Sequence, residues 1–205
     1  MKEINIKETI IGVDCDDVVI NLVPNWLYFY NEHYKDNLKV DDIQDWDISR
    51  YVKPECGKKI YDYVHPDTSK SLPKRFNIYD FCDPVKNSLV SIQELRNMGY
   101  RVIFVTASNR LDAKYNWLEH HEFLDSRSNF VHAFDKNLIN MDYLIDDRWE
   151  NITSFANRKN NNKKGILFNQ AWNLKYNDNY NNYDYIRVNN WTDIVKYFKT
   201  IEDNQ

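Results

Sequence analysis

Cysteine is scarce in this chain, and Cys15, Cys56 and Cys82 are odd in number, far apart and without a CxxC pair. That pattern offers no disulfide framework and reads as reduced thiols in a cytosolic protein. The histidines, His33, His65, His120, His121 and His132, show neither HxxxH nor HxH spacing, so a zinc site is not expected. No apolar run reaches the 18 residues that a membrane helix needs, and residues 1–9 alternate polar and charged side chains, so neither a membrane span nor a secretory signal is expected. No block of Lys and Arg occurs and the net charge is -4. A polyanion such as duplex DNA is therefore a poor partner, whereas a small anionic ligand held through a metal remains compatible.

What is present describes a packed globular protein. The 205 residues are 42% hydrophobic and 15% aromatic, enough for one substantial core with a modest insertion. A strand is expected over 9–14, followed by a helix carrying Leu22, Trp26, Phe29 and Tyr30 at helical spacing. Residues 39–74 are polar with scattered aromatics, and the stretch 19–83 reads as the insertion. Asp83 as an N-cap and Pro84 at the first helical position open a helix whose stripe of Val85, Leu89, Ile92 and Leu95 runs to Gly99. Strands over 101–106, 130–133, 143–146, 165–168 and 185–188 then alternate with helices over 110–124 and 149–156 and a last helix bearing Trp191, Ile194, Val195 and Phe198. Asparagine-rich stretches at 160–162 and 177–182 read as surface loops. Alternation of this kind implies an open α/β sheet, Rossmann-like and three-layered, whose ligands sit outside the carboxyl ends of parallel strands.

That rule selects residues. The apolar run Ile10-Ile11-Gly12-Val13 passes straight into Asp14-Cys15-Asp16-Asp17, and grouping carboxylates in this way is costly unless a cation is held there. In extended chain Asp14 and Asp16 look the same way and Cys15 the other, which makes Cys15 a small buried residue rather than a nucleophile. The second strand delivers Thr106 and Ser108, Lys136 lies just beyond the third, and Asp146 and Asp147 leave the fourth. Carboxylate, hydroxyl and ammonium groups from four strand ends thus converge on one edge. The duller readings, a strand-end hydroxyl closing a turn and carboxylates capping a helix, account for single members of the set better than for the whole.

The ordered motifs Asp14-Cys15-Asp16-Asp17-Val18, Val105-Thr106, Lys136 and Asp146-Asp147 resemble those of the haloacid dehalogenase-like phosphatase superfamily, over about two thirds of the chain. Within it, Phe104-Val105-Thr106-Ala107-Ser108, Lys114-Tyr115-Asn116-Trp117-Leu118-Glu119, Asp135-Lys136-Asn137-Leu138-Ile139, Asp142-Tyr143-Leu144-Ile145-Asp146-Asp147-Arg148 and Gly165-Ile166-Leu167-Phe168-Asn169-Gln170 resemble the 5'(3')-deoxyribonucleotidases of cytosolic type C. The resemblance implies an enzyme in which Asp14 attacks phosphorus and becomes an aspartyl phosphate, and Asp16 serves as acid and then base. It also implies Mg2+ held by the Asp14 carboxylate, the Asp16 carbonyl and Asp147. Thr106 and Ser108 would bind phosphoryl oxygens, Lys136 would offset charge there, and Asp146 would hold Lys136. Lys114 is a rival phosphate lysine. Asp17 stands where many relatives carry Gly, and it could turn outward or alter the metal site.

By the same resemblance residues 1–18 and 84–205 form the core and residues 19–83 a small, mostly helical cap inserted after the first strand. Caps of this superfamily cover the catalytic edge and choose the substrate. The position matching a base-contacting residue of the deoxyribonucleotidases, eight after the nucleophile, is Leu22, with Trp46 and Phe76 as further candidates. The implied substrate is a small phosphate ester, a pyrimidine deoxyribonucleoside monophosphate first and a sugar phosphate second. Exposed cap aromatics would equally suit a homodimer. A receiver domain, with its acidic pair placed first, and a catalytically dead nucleotide-binding protein are the readings from other classes.

Overall fold

A computed structural model describes residues 8–66, 72–73, 76–157, 163–176 and 183–203; the asparagine-rich stretches at 160–162 and 177–182 lie outside them. Six strands, β1 Ile10–Val13, β2 Arg101–Thr106, β3 Phe130–His132, β4 Tyr143–Asp146, β5 Lys164–Phe168 and β6 Tyr185–Val188, form one parallel sheet in the order β3-β2-β1-β4-β5-β6. The α/β expectation holds. Its helices are α1 Leu22–Tyr34, α2 Ser88–Asn97, α3 Leu111–His120, α4 Trp149–Phe155 and α5 Trp191–Asp203.

Side-chain alternation divides the core into two layers. Val102, Phe104, Ile145 and Ile166 join α1, α2, α3 and α5 on one face, while Ile103, Val105, Leu144 and Leu167 pack with Ile152 and Phe155 of α4 on the other. Covered on both faces, the central strands read as unbroken apolar runs, which is why they were legible as parallel strands. Gly12 allows β1 to pass Met141, because a β-carbon there would meet the Met141 sulfur at 2.1 Å.

The chain runs outward through β2 and β3, then reverses through β4, β5 and β6. The switch point therefore falls between β1 and β4, which pair directly. Ligands of open α/β sheets bind at that crevice, and Asp14 to Asp17 leave one side of it and Asp146 and Asp147 the other.

One expectation fails locally. Pro84 does not open α2; it bridges Ile20, while Asn21 N–H donates to the Asp83 carbonyl at 3.0 Å and Val85 N–H to that of Val19 at 2.8 Å. The two ends of the 19–83 stretch are thus tied side by side, and α2 starts at Ser88 after Asn87 in the left-handed region (φ 66). Gly99, at φ 100, turns the chain from α2 into β2. Between the ties lie α1 and the 3-10 turns Val40–Asp42, Ile48–Arg50, Gly57–Tyr63 and Ile78–Phe81. Their buried Ile43, Ile48, Ile60, Tyr63, Ile78 and Tyr79 are continuous with the α1 face of the core.

Candidate active site

The loop after β1 is held by its own backbone and by distant side chains. Val19 and Ile20 N–H groups donate to the Cys15 carbonyl at 3.0 and 2.9 Å, and Asp17 N–H donates to that of Ile20 at 2.7 Å. Trp191 Nε1–H reaches the Val18 carbonyl at 2.8 Å and Gln170 Nε2–H that of Asp17 at 2.7 Å. Asp17 sits at φ 55, a conformation that Gly adopts freely and Asp tolerates. Its Oδ1 accepts from Val23 N–H at 2.8 Å, so the extra carboxylate caps α1 instead of turning to solvent. Cys15 is fully buried, and burial pushes its thiol well up, as an inert residue requires.

Two buried lysines organise the edge, each beside a different carboxylate of the first motif. Lys136 Nζ donates to Asp14 Oδ1 and Asp146 Oδ2, each at 2.6 Å. Lys114 Nζ donates to Asp16 Oδ2 at 2.6 Å and Thr106 Oγ1 at 2.9 Å, with the Tyr79 ring 5.8 Å away. Burial works against both ammonium groups, but the carboxylates beside them more than offset it and hold each above the ordinary lysine value. Asp16 is raised by burial, with Lys114 pulling it back. Asp146 is pushed by burial up to about 6, against the pull of Lys136. It also accepts from Arg148 N–H at 2.8 Å and Asn151 Nδ2–H at 3.0 Å.

Asp147 is fully buried and raised well above the ordinary range, first by burial and then by the charges of Asp146, Asp14 and Asp17. Its Oδ2 accepts from Trp172 Nε1–H at 2.8 Å, and its Oδ1 has no partner among the described residues. Carboxylate oxygens of Asp14, Asp146 and Asp147 lie within 4.8 Å of one another. Because Asp146 is already occupied by three donors, Asp14 and Asp147 are the pair with oxygen to offer, and a hard divalent cation fits this set. Asp16 turns Oδ2 to Lys114, and its Oδ1, like that of Asp147, is buried without a partner among the described residues.

Asp14, Asp16, Thr106, Lys114 and Lys136 floor a cavity of about 360 Å³. Ser108 lines it beside Thr106, while Leu22, Trp26, Ile43, Trp46, Ile48 and Val64 supply apolar wall and Asp45, Tyr61 and His65 polar wall. Of the three substrate candidates, Leu22 and Trp46 line the cavity. Phe76 does not; it packs edge-on against Phe29, at 5.2 Å between ring centres, and beside Tyr63 and Phe81. An aromatic in this region serves that apolar cluster unless its backbone turns it to the edge, which composition alone does not reveal.

Trp172, Asn173, Gln170 and Asn151 were missed. The first three follow β5, so carrying the strand-end rule one strand further would have found them. Asn151 lies on the first turn of α4 and reaches back to Asp146 at the end of β4.

The model of the family described as "5' nucleotidase, deoxy (Pyrimidine), cytosolic type C protein" matches residues 8–201. The chain belongs to this type C 5'-nucleotidase family. It is 31% identical over 194 residues to the 5'(3')-deoxyribonucleotidase of Clostridium acetobutylicum, covering 94% of this chain and 96% of that protein. It is 30% identical over 190 residues to the 5'(3')-deoxyribonucleotidase of Bacillus subtilis, covering 91% and 96%. Among solved structures, a haloacid dehalogenase-like hydrolase from Xanthomonas campestris superimposes with TM-score 0.56 at 9% identity, covering 96% of each chain. A phosphatase of the same fold from Thermococcus onnurineus gives 0.55 at 13%, covering 93% of this chain and 97% of that one. The type C nucleotidase chain thus has the haloacid dehalogenase-like fold and is a phosphoric monoester hydrolase. No described helix is long and apolar enough to cross a membrane.

Proposed function

We propose that this enzyme is a Mg2+-dependent 5'(3')-deoxyribonucleotidase acting on pyrimidine deoxyribonucleoside monophosphates in the cytosol. The observation that carries the proposal is the pairing of two carboxylates of the first motif each with its own buried lysine, Asp14 with Lys136 and Asp16 with Lys114, beneath a cavity with apolar walls. Two carboxylates two residues apart thereby receive different environments and different tasks.

Asp14 attacks phosphorus, the bond to the ester oxygen breaks, and Asp16 passes its proton to that oxygen; burial favours a protonated Asp16 for this step. Water then attacks the aspartyl phosphate, Asp16 takes the water proton, and inorganic phosphate leaves with Asp14 restored. Lys136, Lys114, Thr106 and Ser108 bind the phosphoryl oxygens, and Asp146 holds Lys136 in place. Asp14, the Asp16 carbonyl and Asp147 would hold Mg2+. The ion, when bound, offsets the repulsion between Asp14 and a dianionic phosphate.

Residues 19–83 act as a cap over residues 1–18 and 84–205, which the ties between 19–21 and 83–85 support. The cavity is within the range of small-ligand sites, roughly 300–1,000 Å³, and its Leu22 and Trp46 walls suit a nucleobase better than a sugar. The test is phosphate release from a panel of deoxyribonucleotides, ribonucleotides and sugar phosphates, with Mg2+ or chelator, by wild type and Asp14→Asn. Mg2+-dependent release favouring dUMP or dTMP and lost in the variant is expected. Release confined to sugar phosphates would discard the substrate, and near-normal activity in the variant would discard the mechanism.

A further inference from the structure

Trp172 stands outside the residues given roles above, yet it touches Asp147, a member of the carboxylate group that could hold a cation. Its Nε1–H donates to Asp147 Oδ2 at 2.8 Å, with both side chains buried. The other oxygen of that carboxylate, Oδ1, is buried and has no partner among the described residues. The indole is itself fixed from several directions. The Trp46 ring meets it edge-on, 5.9 Å between centres and 69° between planes. The adjacent Asn173 donates from Nδ2 to the Asp147 and Phe168 carbonyls, each at 2.8 Å, and Gln170 ties the same turn to the Asp17 carbonyl. This one turn after β5 therefore grips the loops after β1 and β4 and one carboxylate oxygen between them.

We infer that Trp172 is a positioning residue for the divalent cation: by occupying Oδ2 of Asp147 it holds the carboxylate in one rotamer, with Oδ1 offered as a single-oxygen ligand beside Asp14. This rests on the proposed Mg2+-dependent reading. A carboxylate on a two-fold-symmetric terminal torsion has no preference of its own between its oxygens, so a single fixed donor on one of them sets the orientation. Partners of metal-binding side chains that act this way are worth about 10- to 100-fold in metal affinity.

The experiment is Mn2+ binding by titration calorimetry, followed by the Mg2+ dependence of phosphate release, for wild type, Trp172→Phe and Trp172→His. Phenylalanine keeps a ring but loses the donor, whereas histidine keeps an N–H on a smaller ring. The expected result is about 10- to 100-fold weaker Mn2+ binding in Trp172→Phe, part of it regained in Trp172→His. The Mg2+ concentration at half-maximal activity should rise in parallel while kcat at saturating Mg2+ stays within a few-fold of wild type. A merely structural role would lower the active fraction and leave the half-saturation point alone. Equal Mn2+ affinity in wild type and Trp172→Phe would overturn the inference and leave the metal reading standing; no Mn2+ binding by wild type would overturn both. Should neither variant fold, 15N-tryptophan labelling of the wild type decides: the Trp172 indole N–H resonance must shift on Mg2+ addition, and an unmoved resonance overturns the inference.

Discussion

Replacing Lys136 by Met separates what this lysine does for stability from what it does for chemistry. The side chain is 2% exposed, and its ammonium lies 2.6 Å from carboxylates on both sides. Methionine matches its length without the charge. It leaves Asp146, fully buried, with only the Arg148 and Asn151 donors, and it leaves Asp14 with no ammonium partner. Removing one partner of a buried ion pair costs about 3–5 kcal/mol, because a charge remains uncompensated. With a urea slope of about 2 kcal/mol/M the unfolding midpoint should fall by about 1.5–2.5 M. Activity should fall at least about 100-fold, the usual loss when one stabilising group is taken from a developing charge. Adding Asp146→Asn removes the orphaned charge while keeping an acceptor for Arg148 N–H. The double variant should regain most of the lost midpoint and none of the activity. Unfolding followed by circular dichroism in the presence of chelator, beside phosphate release with Mg2+, reads both quantities. A Lys136→Met protein as stable as wild type, or a double variant no more stable than the single one, would refute this reasoning.

Two further substitutions probe the frame around the site. Gly12→Ala drives a β-carbon to 2.1 Å from the Met141 sulfur between β1 and the start of β4, and should cost about 1–3 kcal/mol by thermal unfolding, with partial recovery in Gly12→Ala/Met141→Ala. His121, 4.2 Å from the Trp117 ring centre, is held below its ordinary 6.5 by burial and then by His120, with Asp83 opposing. Below pH 6.5 the unfolded chain therefore binds more protons at this position, so stability should fall as the pH drops through that value and His121→Gln should flatten the slope. Urea unfolding from pH 5 to 8 checks this.

How much of this was legible in sequence depended on how local the cause was. β2 and β4 fall where apolar runs place them, since burial on both faces writes itself directly into composition. Asp14, Thr106, Lys136, Asp146 and Asp147 could be named because a parallel sheet brings every strand's carboxyl end to one edge. Pro84 misled because its partner, Ile20, is remote in sequence, and no helix rule anticipates a tie between two ends of an insertion. Lys114 could be named as a rival phosphate lysine, but not as the partner of Asp16, because the fold is what aims it inward. Asp17 was undecidable for the same reason: its left-handed backbone and its bond to Val23 N–H are consequences of the turn, and the turn is fixed by Trp191 and Gln170 from far along the chain.

Charge supplies a reason for a cation that does not depend on likeness to other proteins. Asp14, Asp16, Asp17, Asp146 and Asp147 gather five carboxyl groups around one edge, against the two ammonium groups of Lys114 and Lys136. Fully ionised, they leave three negative charges, and a phosphomonoester dianion would meet them head-on. Protons can relieve part of that, and burial does push Asp16, Asp17 and Asp147 upward. A proton on Asp16 would be useful in the proposed mechanism, since the departing ester oxygen needs one. The carboxyl of Asp17 lies against the start of α1 and is spent on Val23. Asp147 is different: its proton would serve no step, its Oδ1 is unpartnered, and its Oδ2 is already pinned by Trp172. A divalent cation beside Asp14 and Asp147 would relieve the repulsion and attract the phosphate in one move, so the same residues that make the edge costly to fold would suit it to an anionic substrate.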